Sequence, residues 1–428
     1  MNEEKQFSRY KSLNLIGFSL LYNMIYIGRF NLNALIAENE GFLGILPYQQ
    51  QLLSSSVFFA YAIGSIINGT LADRYNPKRM VILGTSVSIL MNAMVPFTDD
   101  WQIILVIWFV NGYFQSMIWV SGISLLANWW KSGERGFGCG VANFFSGLSH
   151  VTAYGAPMLI LLVFPEIGWR EKFIYPMAFV LLFLIVFYLL TKHKPESIGL
   201  LPYVEENLSV AQREVELETL GSIKKKGQFV QFLIGKGILF WCAIAFLSSL
   251  CRYGLLKWIP IYYEAKEAQV ILNPVFSNLI LPFGMAIGTL VITWAAGKRF
   301  NENKGLLVIV GAALCGGIIT IFPAVNDVEI ILMGIFSTGF FLYGINGILW
   351  IYAMDLGGRL KAGTIAGILN GFAYLGATLE AYIFPLIIKV AGNMISVFVA
   401  MEIFFIAIVA CGIVVSNKNT VVEPEVDE

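Results

Sequence analysis

The chain has 428 residues, of which 57% are hydrophobic and only 13% are charged. A soluble globular protein carries roughly 25% charged residues, so these charges are too few to coat a water-exposed surface of this size. The composition excludes a soluble enzyme, a disordered chain and a nucleic-acid-binding protein, and it indicates lipid as the solvent. Lysine plus arginine and aspartate plus glutamate both number 28, so net charge indicates no partner.

Twelve apolar segments are long enough to cross a bilayer core of about 30 Å, which takes about 20 helical residues. In chain order they cover about residues 12–36, 50–72, 80–97, 102–128, 136–163, 173–191, 236–260, 272–297, 304–323, 328–353, 363–390 and 393–415. One long polar connection separates six segments from six. It predicts an N-terminal six-helix bundle (1–191), a middle loop (192–235) and a C-terminal six-helix bundle with a short tail (236–428).

Basic residues collect on one side of the predicted membrane. With the N-terminus inside, the inner loops hold 21 of the 28 bases, the outer loops hold four, and three fall inside spans. We name the richer side the basic face. Because cytoplasmic loops carry an excess of lysine and arginine, we expect this face and both termini to be cytoplasmic.

The two halves repeat one another. The loop after the second span reads GTLADRYNPKR (69–79), and the loop after the eighth reads WAAGKRFNENK (294–304), a degraded copy at nearly the same offset. Arg29 and Arg252 each lie in the first span of a half. A six-span unit that occurs twice implies two bundles related by an axis along the membrane normal, with a central cavity between them.

The two intramembrane arginines indicate an anion site. A charge at mid-membrane costs at least about 2.5–3.5 kcal/mol, so it needs a reason. The planar guanidinium stays protonated and suits phosphate or carboxylate through paired hydrogen bonds. The alternative is that each arginine is neutralised by a buried acid. Glu380 is the one clearly intramembrane acid, so it cannot serve both Arg29 and Arg252.

No catalytic or cofactor signature accompanies this pattern. The five cysteines lie in apolar stretches without a CxxC pair, so we expect buried thiols rather than a metal site or a disulfide framework. No Walker A, HExxH or GxSxG motif occurs where it could work. We expect neither an enzyme nor a bound cofactor.

The loop GxLADRxxPKR resembles the signature loop of the major facilitator superfamily. Two segments, YNMIYIGRFNLN (22–33) and CRYGLLKWIP (251–260), resemble those of the organophosphate:phosphate antiporters, which include glycerol-3-phosphate and hexose-phosphate transporters. The likeness continues through FAYAIGSIINGTLADRYNP (59–77), NGYFQSMIW (111–119), NWWKSGERG (128–136), SIGLLP (197–202) and KAGTIAGILNGFAYLG (361–376). It implies an all-α membrane protein with twelve transmembrane helices in two pseudo-symmetric six-helix bundles.

The resemblance also implies roles for matching positions. Arg29 and Arg252 would clamp the phosphoryl group. Five tyrosines match residues that line the family's cavity, where phenol hydroxyls bond substrate oxygens: Tyr22, Tyr26, Tyr61, Tyr343 and Tyr374. Asp73 and Arg74 of the signature loop would form a latch that stabilises one arrangement of the bundles.

Several positions depart from the glycerol-phosphate pattern. Ser65 stands where those members have lysine, and Ser146 stands at their histidine position in the fifth span. His150 lies one helical turn further on the same face and could replace that histidine. Phe30 and Lys257 replace a basic and an acidic residue. The site then has less positive charge than the template, so a carboxylate substrate such as a sugar acid stays open.

Glu380 in the eleventh span has more than one reading. It could couple transport to protons, because burial favours the protonated form of a carboxyl group. It could also pair with Arg252 or Lys257, or contact a substrate hydroxyl or amine. In the fifth and eleventh spans, glycines at small-xxx-small spacing predict close helix crossings: Gly136, Gly140, Gly363, Gly367 and Gly371.

We therefore predict a secondary transporter that moves a small organic anion by alternating access across the bacterial inner (plasma) membrane. The favoured chemistry is exchange of an organic phosphate for inorganic phosphate. Proton-coupled symport of a sugar acid or other carboxylate is the alternative, and a transporter-like ligand sensor is a third reading. The expected partners are the substrate, inorganic phosphate or protons, and the lipid bilayer. We expect a monomer without nucleic acid or metal.

Overall fold

The computed structural model describes residues 3–38, 44–164, 166–203, 226–265, 274–300 and 303–420. Most of the middle loop, residues 204–225, lies outside them. So do four of the bases used for the predicted orientation, Arg213, Lys224, Lys225 and Lys266.

The described residues form α-helices and short 3₁₀ turns, without a β-strand among them. The helices are α1 (Glu3–Ile25), α2 (Ile27–Glu38), α3 (Pro47–Arg74), α4 (Pro77–Met94), α5 (Trp101–Ala127), α6 (Arg135–Val163), α7 (Glu171–Leu190), α8 (Lys226–Gly235), α9 (Ile238–Ala265), α10 (Pro274–Lys298), α11 (Lys304–Ile319), α12 (Ile321–Ala324), α13 (Val328–Ala391) and α14 (Ile395–Thr420).

These helices make twelve membrane crossings within the described ranges. The first crossing is α1 followed by α2, and the ninth is α11 followed by α12. The 64-residue α13 makes two crossings, because Gly358 inside it has φ 53° and ψ −150°, which breaks the helix into arms 328–357 and 359–391. Such a conformation is accessible to glycine without strain. The predicted all-α fold with two six-helix bundles is confirmed.

Short polar residues set the helix starts at the loops. In the signature loop α3 ends at Arg74, and the Asn76 side chain accepts a hydrogen bond from the Arg79 amide, which caps α4 at its first residue, Pro77. Asp100 caps α5 in the same way, accepting from the Gln102 amide at 2.8 Å. Proline at the first helical position and a polar cap before it are typical helix-start signals.

The bundles meet along two pairs of helices that cross closely at glycines. On one side α3 crosses the second arm of α13, where a Cβ on Gly69 would lie 2.4 Å from the Gly363 carbonyl oxygen. On the other side α6 crosses α10, where a Cβ on Gly136 would lie 2.4 Å from the Thr293 carbonyl oxygen. The predicted small-residue spacing therefore marks contacts between the bundles.

Candidate functional site

The first membrane crossing is interrupted just before Arg29. Tyr26 separates α1 from α2. The carbonyl oxygen of Gly28 accepts hydrogen bonds from three amide side chains: Asn92 at 3.0 Å, Asn111 at 2.9 Å and Gln115 at 3.1 Å. Three donors on one carbonyl fix the backbone at the break, and with it the start of the Arg29 side chain.

Arg29 is fully buried and held on several sides. Its Nε donates to Oε1 of Gln115 at 2.8 Å, and its Nη1 donates to the Tyr374 hydroxyl at 2.5 Å. The guanidinium carbon lies 4.3 Å from the Tyr26 ring centroid and 4.6 Å from that of Tyr61. Its Nη2 has no hydrogen-bond partner among the described residues. Arg29 therefore has one buried donor that the described residues leave unpaired.

Arg252 in α9 is held more loosely. It is 6% exposed, and its Nη2 donates to the Ser249 hydroxyl at 3.3 Å. The guanidinium carbon lies 4.6 Å from the Tyr253 ring centroid and 5.3 Å from that of Tyr343. Its Nε finds no partner in the described part of the chain. Within that part neither Arg252 nor Arg29 forms an ion pair with an acid, so two buried positive charges stand uncompensated.

A small central cavity lies between the bundles and is lined by Arg252, and Arg29 contacts two of its lining residues, Tyr26 and Tyr374. Its volume is about 10 Å³, which is room for about one water molecule. Both halves line it, with Tyr22, Tyr26, Trp119, Asn143, Ser146, Arg252, Tyr343, Asn346, Trp350, Asn370, Ala373 and Tyr374. Four of the five predicted tyrosines and Ser146 are therefore in the lining.

The remaining predicted binding residues lie beside this cavity. Tyr61 stacks on Tyr374 with ring centroids 3.9 Å apart. His150 is buried against Tyr26 and Phe30, with centroid distances of 5.3 and 5.2 Å. Ser146 and Tyr343 share a hydrogen bond of 2.7 Å that joins the two halves.

Glu380 does not pair with either proposed basic partner. Its Oε1 accepts a hydrogen bond of 3.0 Å from the Trp258 indole, and no ion pair to Arg252 or Lys257 is found in the described contacts. The Lys257 side chain is exposed rather than buried, because at this position α9 turns it outward. In this structure the Glu380 carboxylate is therefore bonded to an indole rather than ion-paired with a base among the described residues.

The signature loop contacts the second arm of α13. The Asp73 carboxylate accepts from the Gly363 amide at 2.8 Å, the Thr364 amide at 2.6 Å and the Thr364 hydroxyl at 2.5 Å. Arg74 is exposed and lines a separate open cavity of about 530 Å³ at this face. Asp73 thus bonds the opposite bundle directly, and Arg74 does not share that contact.

A second contact between the bundles at this face was missed from the sequence. Asp355, at the end of the first arm of α13, accepts from Arg135 of the other bundle at 3.0 Å and pairs with Lys304 at 2.9 Å. The sequence signal was the acid of MDLGGRLKAG (354–363), which follows the tenth crossing and corresponds to WWKSGERG (129–136) after the fourth crossing, the segment that holds Arg135. Charges at the ends of two equivalent spans could have suggested the pair.

The opposite face is also joined across the bundles. Nε2 of Gln51 at the start of α3 donates to the Ala381 carbonyl at 2.7 Å, and the hydroxyls of Ser55 and Tyr382 lie 3.1 Å apart. The α3–α13 crossing therefore carries contacts between the bundles at both ends, with a cavity of about 10 Å³ between them.

Comparison with known proteins places this geometry in a family. The family model described as Major Facilitator Superfamily matches residues 18–379. The glycerol-3-phosphate transporter of Bacillus subtilis is 26% identical over 88% of this chain and 86% of its own length. A probable hexose phosphate transport protein of Chlamydia pneumoniae is 25% identical over 92% and 86%. The membrane sensor protein UhpC of Salmonella typhimurium is 24% identical over 86% and 83%.

Among solved structures, the proton:xylose symporter XylE bound to 6-bromo-6-deoxy-D-glucose superposes with a TM-score of 0.70. The match covers 97% of this chain and 95% of that one at 13% identity, so it concerns the fold. The relatives confirm the resemblance to the organophosphate:phosphate antiporters.

Proposed function

Because the chain belongs to the Major Facilitator Superfamily, we propose that it exchanges an organic phosphate for inorganic phosphate across the membrane by alternating access. The protein is a multi-pass membrane transporter rather than an enzyme. The relatives named for glycerol 3-phosphate and hexose phosphate support phosphate as the anion.

The two uncompensated arginines carry this proposal. Each is buried, each keeps an N–H group without a partner among the described residues, and neither has a carboxylate beside it there. A buried charge without a counterion is costly, and a phosphoryl group between the two guanidinium groups would supply both the charge and the acceptors. Arg29 and Arg252 are thus the proposed substrate clamp.

The arrangement also favours obligatory exchange. The Arg29 hydrogen bond to Tyr374 and the Ser146–Tyr343 hydrogen bond both join the two bundles. A bound anion would draw both guanidinium groups together and stabilise the closed form relative to the open ones. Without it, closure buries two like charges. The empty carrier should therefore reorient poorly.

We propose that the ends of α3 and α13 alternate as gates. At the basic face the bonds from Gly363 and Thr364 to Asp73 must break for that side to open, and the Arg135–Asp355 pair must break with them. At the other face the Gln51 and Ser55 contacts must part. The basic face is the cytoplasmic side in this proposal, following the excess of lysine and arginine there.

One copy of the chain holds both halves and the complete cavity lining, so we propose that the monomer is the transporting unit. His150 is proposed to contact the substrate only when the cavity expands, because in this structure it packs against Tyr26 and Phe30.

Counterflow in proteoliposomes tests the exchange. Vesicles loaded with inorganic phosphate should take up labelled phosphate or glycerol 3-phosphate without a pH gradient, and vesicles without internal phosphate should not. Vesicles with protein carrying Lys389→Ala serve as a control, since that exposed side chain lies outside the cavity lining.

Strict dependence on a proton gradient would instead support the symport alternative. Its candidate coupling residue is Glu380, which the structure leaves bonded only to an indole among the described partners. If Glu380→Gln leaves gradient-driven uptake intact, that role fails. Absence of any transport, with specific ligand binding retained, would favour the sensor reading, which the UhpC relative keeps open.

A further inference from the structure

A second, larger cavity opens at the basic face, at one end of the crossing between α3 and α13. Its volume is about 530 Å³, which lies in the size range of small-molecule binding sites. The signature loop and the end of α5 line it from one bundle, and the break of α13 at Gly358 lines it from the other. His193, Lys194 and Glu196, at the start of the middle loop, complete the lining. No step of the proposed transport uses this cavity.

The two acids in the lining are already bonded by the protein. The Asp73 carboxylate accepts hydrogen bonds from the Gly363 and Thr364 amides. Oε1 of Glu196 accepts from Nη2 of Arg359 at 2.5 Å. Both carboxylates are therefore committed to groups other than the remaining cations of the lining.

The cations of the lining are less completely paired. Arg74 and Lys194 are exposed, and neither side chain has a hydrogen bond or an ion pair with the described residues. The Nε of Arg359 is buried and has no partner in the described part of the chain. Because an unpaired buried donor costs free energy, the cavity is complementary to a group that brings both acceptor oxygens and negative charge.

The pKa of His193, which lines the cavity just after the end of α7, lies below its ordinary value. Burial is the largest cause of the lower pKa. The positive charges of Lys194, Arg79 and Lys78 lower the pKa further, and the charge of Glu196 opposes them. The basic groups around the cavity therefore disfavour another positive charge and favour an anion.

The lining also indicates the size and the solubility of the ligand. A single phosphate ion would leave most of a volume of about 530 Å³ unfilled. The aliphatic side chains in the lining are few: Ala72, Pro77 and Leu360. They offer too little apolar surface to seat the acyl chains of a lipid. The cavity therefore suits a water-soluble anion with more than one oxyanion group or with a polar organic part.

We propose that this cavity binds a water-soluble, phosphate-bearing anion larger than inorganic phosphate, and that the bound anion holds the basic face closed. Its oxygens accept from Arg74 and Lys194 on one side and from Arg359 on the other. Arg74 belongs to the N-terminal bundle and Arg359 to the C-terminal bundle, so the ligand joins the two. A ligand that contacts both bundles stabilises the conformation in which they lie close together.

Thermal shift on detergent-purified protein tests binding, with pyrophosphate as the probe and sodium chloride at the same ionic strength as the reference. The Arg29→Lys, Arg252→Lys double variant is the background, so that the central clamp does not contribute. Arg74→Gln and Lys194→Gln should each raise the Kd for pyrophosphate about tenfold, the size of one hydrogen bond to a charged group. Arg79→Gln is the matched control. It removes the same charge from an exposed side chain of the signature loop outside the lining, and the Kd should change less than twofold.

Glu196→Gln should change the affinity in the opposite direction. The substitution removes the carboxylate that occupies Nη2 of Arg359 and takes a negative charge out of the lining. Pyrophosphate should then bind on the order of fivefold more tightly, the upper range for an exposed ion pair. A purely structural role of these side chains gives no such gain. Unchanged or weaker binding in Glu196→Gln therefore overturns the site.

Two other results refute the proposal. Equal weakening by Arg74→Gln and Arg79→Gln would show that pyrophosphate responds only to the general charge of this face. Stabilisation of reconstituted protein by phosphatidylglycerol, without any stabilisation by pyrophosphate, would identify a lipid headgroup instead of a soluble ligand. If the double arginine variant does not fold, the same comparison is made in the wild-type background, since neither position lies in the central cavity.

The inhibitory effect rests on the proposed function and is measured separately. With pyrophosphate on both sides of the vesicle membrane, the maximal rate of phosphate exchange should fall while KM for phosphate stays unchanged. A higher KM at an unchanged maximal rate would place pyrophosphate at the arginine clamp and overturn the inhibitory role. If wild-type vesicles show no phosphate exchange, the exchange proposal fails, and the thermal-shift comparison of Arg74→Gln with Arg79→Gln still decides the site.

Discussion

Arg29 and Arg252 come from equivalent first crossings of the two halves, yet their surroundings differ. Arg29 donates to Gln115 and, across the bundles, to Tyr374, and it follows a helix break that three amides fix at Gly28. Arg252 has one long hydrogen bond of 3.3 Å to Ser249, a turn away in its own helix. The repeat therefore places an arginine at equivalent positions of the two halves, but the residues that hold the two guanidinium groups differ.

The difference indicates that the two arginines have different roles at the site. The Arg29 guanidinium is oriented by fixed partners, and its bond to Tyr374 exists only when the bundles are close together. The Arg252 guanidinium is bounded mainly by the rings of Tyr253 and Tyr343. We propose that Arg29 is a fixed anchor coupled to closure and that Arg252 moves toward an incoming anion.

The largest expected effect comes from removing either guanidinium while keeping its charge. Arg29→Lys and Arg252→Lys should each lower phosphate exchange on the order of a hundredfold or more, because an ammonium group cannot make paired hydrogen bonds to an oxyanion. Exchange is measured with reconstituted protein, and size-exclusion profiles check folding. Wild-type uptake rates in either folded variant would refute the two-arginine clamp.

Gln115→Leu tests the anchor itself. The substitution removes the Arg29 acceptor and one of the donors to Gly28, without touching Arg252. We expect KM for phosphate to rise about tenfold, the size of one hydrogen bond to a charged group. Gln102→Leu, at the exposed start of the same helix, is the matched control and should leave KM unchanged. An unchanged KM in Gln115→Leu would mean that Arg29 needs no fixed support.

The charges and spacing in the sequence were enough to predict the twelve crossings, the repeat and the arginine pair. They could not predict the support of Arg29, because Asn92, Asn111 and Gln115 read equally well as general helix–helix contacts. Which carbonyl they bind depends on the break at Tyr26, which no proline marks. Likewise the contact between Trp119 and Trp350 depends on helix rotation, which the apolar pattern of a buried span leaves undetermined.

In the absence of substrate, replacing each arginine by methionine should change the melting temperature in opposite directions. Arg252→Met removes a buried charge that has little compensation, so we expect the melting temperature to rise. The corresponding gain in the free energy of unfolding is about 1 kcal/mol. Arg29→Met also removes a charge but leaves Gln115 and Tyr374 without their partner, so we expect a fall of about 1 kcal/mol. Melting is followed on detergent-purified protein. A shift of the same sign in both variants would contradict the proposed contrast.

The smallest effect is expected for Ser249→Ala, and its smallness is the informative part. The hydrogen bond from Arg252 to Ser249 is 3.3 Å long, beyond the usual range for a strong N–H···O contact. If Arg252 moves to reach its anion, removing this bond should raise KM for phosphate less than twofold. Phosphate self-exchange under the conditions used for Gln115→Leu measures it. A tenfold rise would show that Arg252 also depends on a fixed partner, and the two halves would then bind the anion in the same way.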